Sequence, residues 1–213
     1  MAKQGKNGTF TGKMGNLVGS TWNGIPYVKK RPQWRGRYKP TEKQLLNQAK
    51  FRFAMKQMRE FRELLNLTVE FETGQSSSSS AMRTLLNEAI VGVHPDLALD
   101  YSRLLLAKGT LLPEANVHVE STEAGILKYT WTDEVSKSDH SRFGPDHAMM
   151  IACWAEGPET WYELNGARRW KLSAEMKLPE FFSGKTLHTW LAFRSPDFKL
   201  KSNSVYAGTI AVL

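Results

Sequence analysis

The stretch Ile126-Leu127-Lys128-Tyr129-Thr130-Trp131-Thr132-Asp133 decides the fold class. Leu127, Tyr129 and Trp131 alternate strictly with polar neighbours, which is the period of a strand with one buried face, and Trp131 is the candidate core anchor. Outward from this strand, the sequence beyond about Pro113 consists of short apolar runs separated by turns: 117–120, 126–132, 148–155, 160–164, 170–178, 186–194 and 205–212. Seven such runs in roughly 100 residues predict an antiparallel β-sandwich.

Upstream the pattern differs. Residues 9–32 place Leu17, Val18, Trp22, Ile25, Tyr27 and Val28 among Gly12, Gly15, Gly19 and Gly24, and Trp22-Asn23-Gly24-Ile25 carries the Asn-Gly pair that favours a two-residue hairpin turn. Pro26 lacks an N–H, so its strand is expected at an edge or at a bulge, open to pairing with another chain. Residues 29–40 follow as a basic, aromatic arm bracketed by Pro32 and Pro40. Thr41 and Gln44 form a capping box, starting a helix that runs to about Leu65 with Phe51, Ala54, Met55, Met58, Phe61 and Leu65 at helical spacing. The five serines Ser76 to Ser80 read as a flexible loop or helix lead-in, and a second helix spans 81–91, ending at Gly92. Residues 97–106 read as a strand. The fold class is therefore α+β, with a hairpin and helical region over residues 1–112 and a sandwich over residues 113–213.

Charge is distributed unevenly along the 213 residues. Between Met1 and Leu65, 15 basic side chains face only Glu42, Glu60 and Glu63, a local charge of +12, which leaves −4 for the rest of a chain of net charge +8. Such asymmetry points to a partner: a polyanion, an acidic protein or another copy of the chain. The first residues lack the continuous apolar run of a secretory signal, and no run approaches the length of a membrane span. The expectation is a soluble cytoplasmic protein, with incorporation into a phage-like particle as a further option. Cys153 is the only cysteine and lies within the apolar run Met149-Met150-Ile151-Ala152-Cys153-Trp154, which marks a core thiol and excludes an intramolecular disulfide.

Several motifs together carry a family resemblance. They are the run from Gly12 to Tyr27, Pro40-Thr41-Glu42 with Gln44, Tyr101 with Lys108-Gly109, and Asn203-Ser204-Val205-Tyr206-Ala207-Gly208. In these the chain resembles an uncharacterised domain-of-unknown-function family of Bacteroidota bacteria, over nearly its whole length. That pattern has Lys at the position of Asn23, and a Ser- or Gly-rich loop at that of the five serines. The resemblance implies no activity. The N-terminal part is also similar to the start of several phage-associated proteins, a pointer towards particle assembly. In layout the C-terminal part resembles a fibronectin type III domain, with a Trp on the second strand and a long penultimate strand in which Trp190 takes the place of the expected tyrosine.

No catalytic constellation emerges. His94, His118, His140, His147 and His188 show no metal-binding spacing. The one polar cluster of note is Asp139, His140, Asp146 and His147, which could hold a divalent ion if its loop folded back and is otherwise a solvated loop. The glycine spacing in residues 12–19 lacks the Gly-Lys-Ser/Thr ending of a phosphate loop. The chain reads as a non-enzyme with no catalytic residue, metal or cofactor. It is expected to act in structural assembly or protein interaction, with Trp22, Tyr27, Lys29, Lys30, Arg31, Trp34, Arg35, Arg37 and Tyr38 as the contact residues, because Trp, Tyr and Arg make efficient interface anchors. The alternative is sequence-independent nucleic-acid binding, in which the same cations neutralise phosphates and the same rings stack on bases. No small-molecule substrate or membrane partner is indicated. A third option, a carbohydrate platform, draws on Trp154, Trp161, Tyr162 and Trp170.

Overall fold

The computed structural model describes residues 3–4, 10–22, 24–33, 39–70, 77–113, 116–132 and 144–213. The chain divides into two compact units, Met1–Gln44 and Leu45–Leu213. Helices and antiparallel sheets occupy separate stretches of sequence, which makes the protein α+β.

The first unit is a four-stranded antiparallel sheet in chain order: β1 (Lys3–Gln4), β2 (Phe10–Met14), β3 (Leu17–Trp22) and β4 (Ile25–Lys30). Trp22 pairs with Ile25, so β3 and β4 are joined by the two-residue connection read in the sequence, and Gly24 there has φ +80°. A second two-residue turn, not anticipated, joins Met14 to Leu17 through Gly15 at φ +56°. Gly19 serves differently, since a Cβ there would overlap the carbonyl oxygen of Phe10. β4, with Pro26 in it, is an edge strand.

The helix start is as the capping box requires. Thr41 N donates to Gln44 Oε1 (2.8 Å) and Gln44 N to Thr41 Oγ1 (3.4 Å) ahead of α1 (Glu42–Glu60). The single helix expected to Leu65 is broken at Phe61, whose φ of −98° and ψ of 3° leave the helical region; its buried side chain lies among the core residues, and α2 (Arg62–Thr68) continues beyond it. The second expected helix begins earlier than the sequence suggested. α3 (Ser77–Thr84) takes in four of the five serines, widens into a π turn over Leu85–Ala89, and gives way at Ile90 to the two-residue strand β5 (Ile90–Val91).

The strand expected over 97–106 shrinks to β6 (Ala98–Leu99), paired with β5. Asp100 accounts for the correction. Its carboxylate accepts from Ser102 N (3.0 Å) and Ser102 Oγ (2.6 Å), which turns the chain into a 3-10 segment over Tyr101–Arg103.

All seven strands expected after Pro113 form. They are β7 (Val117–Glu123), β8 (Ile126–Trp131), β9 (His147–Trp154), β10 (Thr160–Glu163), β11 (Ser173–Lys177), β12 (Thr186–Arg194) and β13 (Val205–Ala211). They make two antiparallel sheets, of order β11-β8-β7 and β10-β9-β12-β13. β11 starts later than expected, because the chain makes a 3-10 turn over Arg169–Lys171 and Leu172 adopts φ +57°.

The larger sheet is covered on both faces. On one side Ala148, Met150, Ala152, Leu191 and Phe193 meet Leu127, Tyr129 and Trp131 of the smaller sheet. On the other, Ile151, Cys153 and Trp190 meet Phe61, Leu64, Leu65 and Leu85 of the helical segment. Such double burial requires the near-continuous apolar run of β9 rather than an alternation. It also joins helices and sheets in one unit, so the division expected at 112/113 falls inside that unit. Among the described residues no helix is long and apolar enough to cross a membrane.

Candidate interaction surface

Of the contact residues expected from the sequence, Trp22, Tyr27, Lys29 and Lys30 lie on the N-terminal sheet and Arg31 directly follows it. Pairing places Val18 opposite Lys29, Ser20 opposite Tyr27 and Trp22 opposite Ile25, so Trp22, Ile25, Tyr27 and Lys29 share one face with Lys13, the partner of Val18 on β2. All six β4 residues are exposed, and Trp22 is 70% and Ile25 63% accessible. Lys29 Nζ sits 5.9 Å from the Tyr27 ring centroid, a cation-π contact. Lys30 and Arg31 are also exposed, whereas Trp34, Arg35, Arg37 and Tyr38 lie outside the described residues.

The edge can be read in the same way. Arg31 N donates to Asn16 O (2.8 Å), so odd-numbered amides of this strand turn towards β3 and even-numbered positions turn outward. Pro26 occupies one outward position and has no N–H, which leaves Val28 and Lys30 as the outward donors on β4.

A second cluster forms from positions far apart in the chain, 101, 188 and 206, and had no local signature. The Tyr101 ring stacks on His188 at 4.0 Å and 13°, and His188 Nδ1 lies 2.7 Å from Tyr206 Oη. Burial lowers the pKa of His188 and raises those of both tyrosines, which favours neutral rings. Trp190 adjoins them, 5.4 Å from Tyr206, and donates to Leu104 O (3.0 Å). Ser204 Oγ accepts from Leu106 N (2.9 Å) and Ala107 N (3.2 Å), while Asn203 Oδ1 accepts from Gly109 N (3.2 Å). Glu70 completes the junction by accepting from Lys201 N and Thr110 N. The motifs around Tyr101, Gly109 and Asn203-Ser204 are thus one structural lock between the 101–110 segment and the start of β13.

Of the polar loop singled out in the sequence, Asp139 and His140 lie outside the described residues. Asp146 is 2% exposed, with Oδ2 lacking a hydrogen-bond partner, and its backbone oxygen accepts from Arg169 N (2.8 Å). Arg169 is buried too, with its guanidinium 4.5 Å from the Phe193 ring and Nη1 donating to Leu112 O (2.9 Å). Burial pushes the Asp146 carboxyl up to about 6, against the opposing pull of Arg169 and Arg168. His147 Nδ1 lies 3.2 Å from Gly166 O. Among the described residues no three His, Cys, Asp or Glu side chains are grouped to hold a metal. Cys153 is buried and its thiol is pushed up to about 12, which suits packing rather than nucleophilic attack. Trp154 and Tyr162 pack against the two core clusters, while Trp161 and Trp170 are exposed.

An α+β protein with a glycine-turned N-terminal sheet, a capped helix and a two-sided β core is thereby defined. By its match over residues 8–208, the chain belongs to a family of unknown function, DUF6266. A comparison with the curated proteins gives no match.

Proposed function

We propose that the protein is a non-catalytic assembly or interaction component that docks through its N-terminal sheet while the β unit serves as a rigid body. One observation carries the reading. The first unit buries a single described residue, Gly19, yet exposes Trp22, Ile25, Tyr27 and Val28 around one hairpin. A sheet with so little interior gains most by being covered, since full burial of each large apolar side chain is worth ~1.5–3 kcal/mol. The neighbouring Lys29, Lys30 and Arg31 favour an acidic counterpart or another copy of the chain. The strand orders β11-β8-β7 and β10-β9-β12-β13 support a fibronectin type III-like sandwich as the rigid body. Similarity of the N-terminal segment to phage-associated proteins supports a place in a particle.

A second reading, sequence-independent nucleic-acid binding, is favoured by the presence of Lys13 and Lys29 on the same sheet face as Tyr27 and Trp22. Light scattering at near-physiological salt, with affinity capture from the cells that make the protein, tests the first reading. Trp22→Ala with Tyr27→Ala should abolish self-association or capture, and Val93→Ser, at an exposed site outside the sheet, should not. A monomer that captures nothing would defeat the proposal. Steeply salt-dependent binding of single-stranded DNA, lost in the same double variant, would replace it with the second reading.

A further inference from the structure

A different surface, on the helical segment, carries an inference independent of the N-terminal sheet. A groove of about 820 Å³ opens between α1, α2 and α3 with its π turn. Phe51, Met55 and Met58 of α1 and Met82 and Leu86 on the α3 side supply its apolar lining, and Phe51 and Met55 are 50% and 40% exposed. Arg59, Arg62 and Arg83 also line it. Among the described residues no carboxylate lines the groove and none of these arginines is in an ion pair.

We infer that this groove receives an acidic amphipathic helix of a partner protein. Phe51, Met55 and Met58 stand at i, i+4 and i+7, so they form a strip about 10 Å long on one face of α1, and Met82 and Leu86 repeat the i, i+4 spacing opposite. A helix lying in the groove presents its own apolar side chains at the same pitch. Methionine suits such a floor, because its unbranched, polarisable side chain adapts to varied neighbours. The three guanidinium groups decide the sign of the occupant. They repel one another beside an apolar surface, and carboxylates flanking a hydrophobic stripe both relieve that repulsion and accept paired N–H bonds. A single fatty-acid carboxylate would leave two of the three charges unmatched. A nucleic acid would leave the methionine and phenylalanine lining unused.

Fluorescence anisotropy with the full chain tests the inference, using a labelled helical peptide with Leu at i, i+4 and i+7 flanked by Glu. A counterpart with Lys in place of Glu serves as the control. The Glu peptide should bind with a micromolar Kd and the Lys peptide not measurably. Arg59→Glu with Arg83→Glu should weaken the Glu peptide by ~10-fold or more, as should Met55→Asp, with an unchanged far-ultraviolet spectrum and urea midpoint. Trp22→Ala should leave peptide binding untouched, which separates this site from the N-terminal sheet. Equal affinity for the two peptides, no binding of either, or binding unaffected by the arginine reversals would overturn the inference. Stoichiometric oleate binding in place of the peptide would overturn it as well.

Discussion

Replacing Asp146 by Asn should stabilise the protein, and increasingly so as pH rises. The carboxyl is 2% exposed, one oxygen lacks a hydrogen-bond partner, and its folded-state pKa is raised from the ordinary 3.8 to about 6 because desolvation outweighs the pull of Arg169 and Arg168. Between these values the folded chain holds a proton that the unfolded chain has released. Stability from this group is therefore complete below the unfolded pKa and is lost as pH rises through the folded one. At ~1.4 kcal/mol per pKa unit the whole loss is about 3 kcal/mol, of which roughly two thirds falls between pH 4.5 and pH 8. Asn has nearly the same shape and cannot ionise, so the variant escapes the loss. Urea denaturation followed by Trp fluorescence at pH 4.5 and pH 8 measures the effect. The variant's margin over the parent should grow by ~1–2 kcal/mol from the lower pH to the higher. If Asp146→Asn were instead destabilised more at pH 8 than at pH 4.5, the ionised carboxylate would be a net favourable partner of Arg169, and the burial argument would fail.

Two further outcomes follow from the packing. Gly19→Ala forces a Cβ onto the Phe10 carbonyl oxygen and ring, whereas Gly15→Ala meets nothing within 4 Å and bears only the strain of φ +56°. Hydrogen exchange should show the β2–β3 pairing opened in the former and largely kept in the latter, a difference of ~1–2 kcal/mol; equal protection would refute the close-approach argument. The Cys153 thiol, buried and pushed up to about 12, should resist an aromatic disulfide reagent at pH 8 and react fully once urea unfolds the chain. Prompt reaction of the native protein would show that the helical cover opens readily.

Local signals in the sequence were read well, while signals depending on distant partners were not. The Thr41–Gln44 capping box, the Trp22 to Ile25 turn and the seven strands after Pro113 each depend on residues a few positions apart, and each forms. The interruption at Phe61 and the loss of most of the 97–106 strand depend on context. Phe61 joins a cluster that includes Ile151 and Trp190, and the 101–107 segment is held by Ser204 and Trp190 rather than by a neighbouring strand. The run from Ala148 to Cys153 announced a strand but not that helices would cover its second face, because a doubly buried strand shows no period that names its partners. That Trp22, Ile25 and Tyr27 stand exposed around an edge strand was legible because Pro26 and these side chains lie together in sequence. The arginine-lined groove was not, since Met55 and Met82 meet only after α1 and α3 have packed.

The same division bears on the docking surfaces proposed above. Tyr101, Gly109, Asn203, Ser204 and Tyr206, which belong to the motifs that carry the family resemblance, are held in the lock that fixes the helical cover to the sheet, and their hydrogen bonds are made within the chain. Among the described residues, large apolar side chains stand uncovered beside cations around Trp22 to Lys30 and around Phe51 to Arg62. Both stretches fall inside the first 65 residues, where the local charge is +12 while the remainder of the chain carries −4. On the docking readings proposed above, a partner for either surface would combine an apolar stripe with carboxylates, because an apolar partner alone would strand the lysines and arginines and a polyanion alone would leave Ile25, Phe51 and Met55 in water. A protein surface or helix would meet both demands at once.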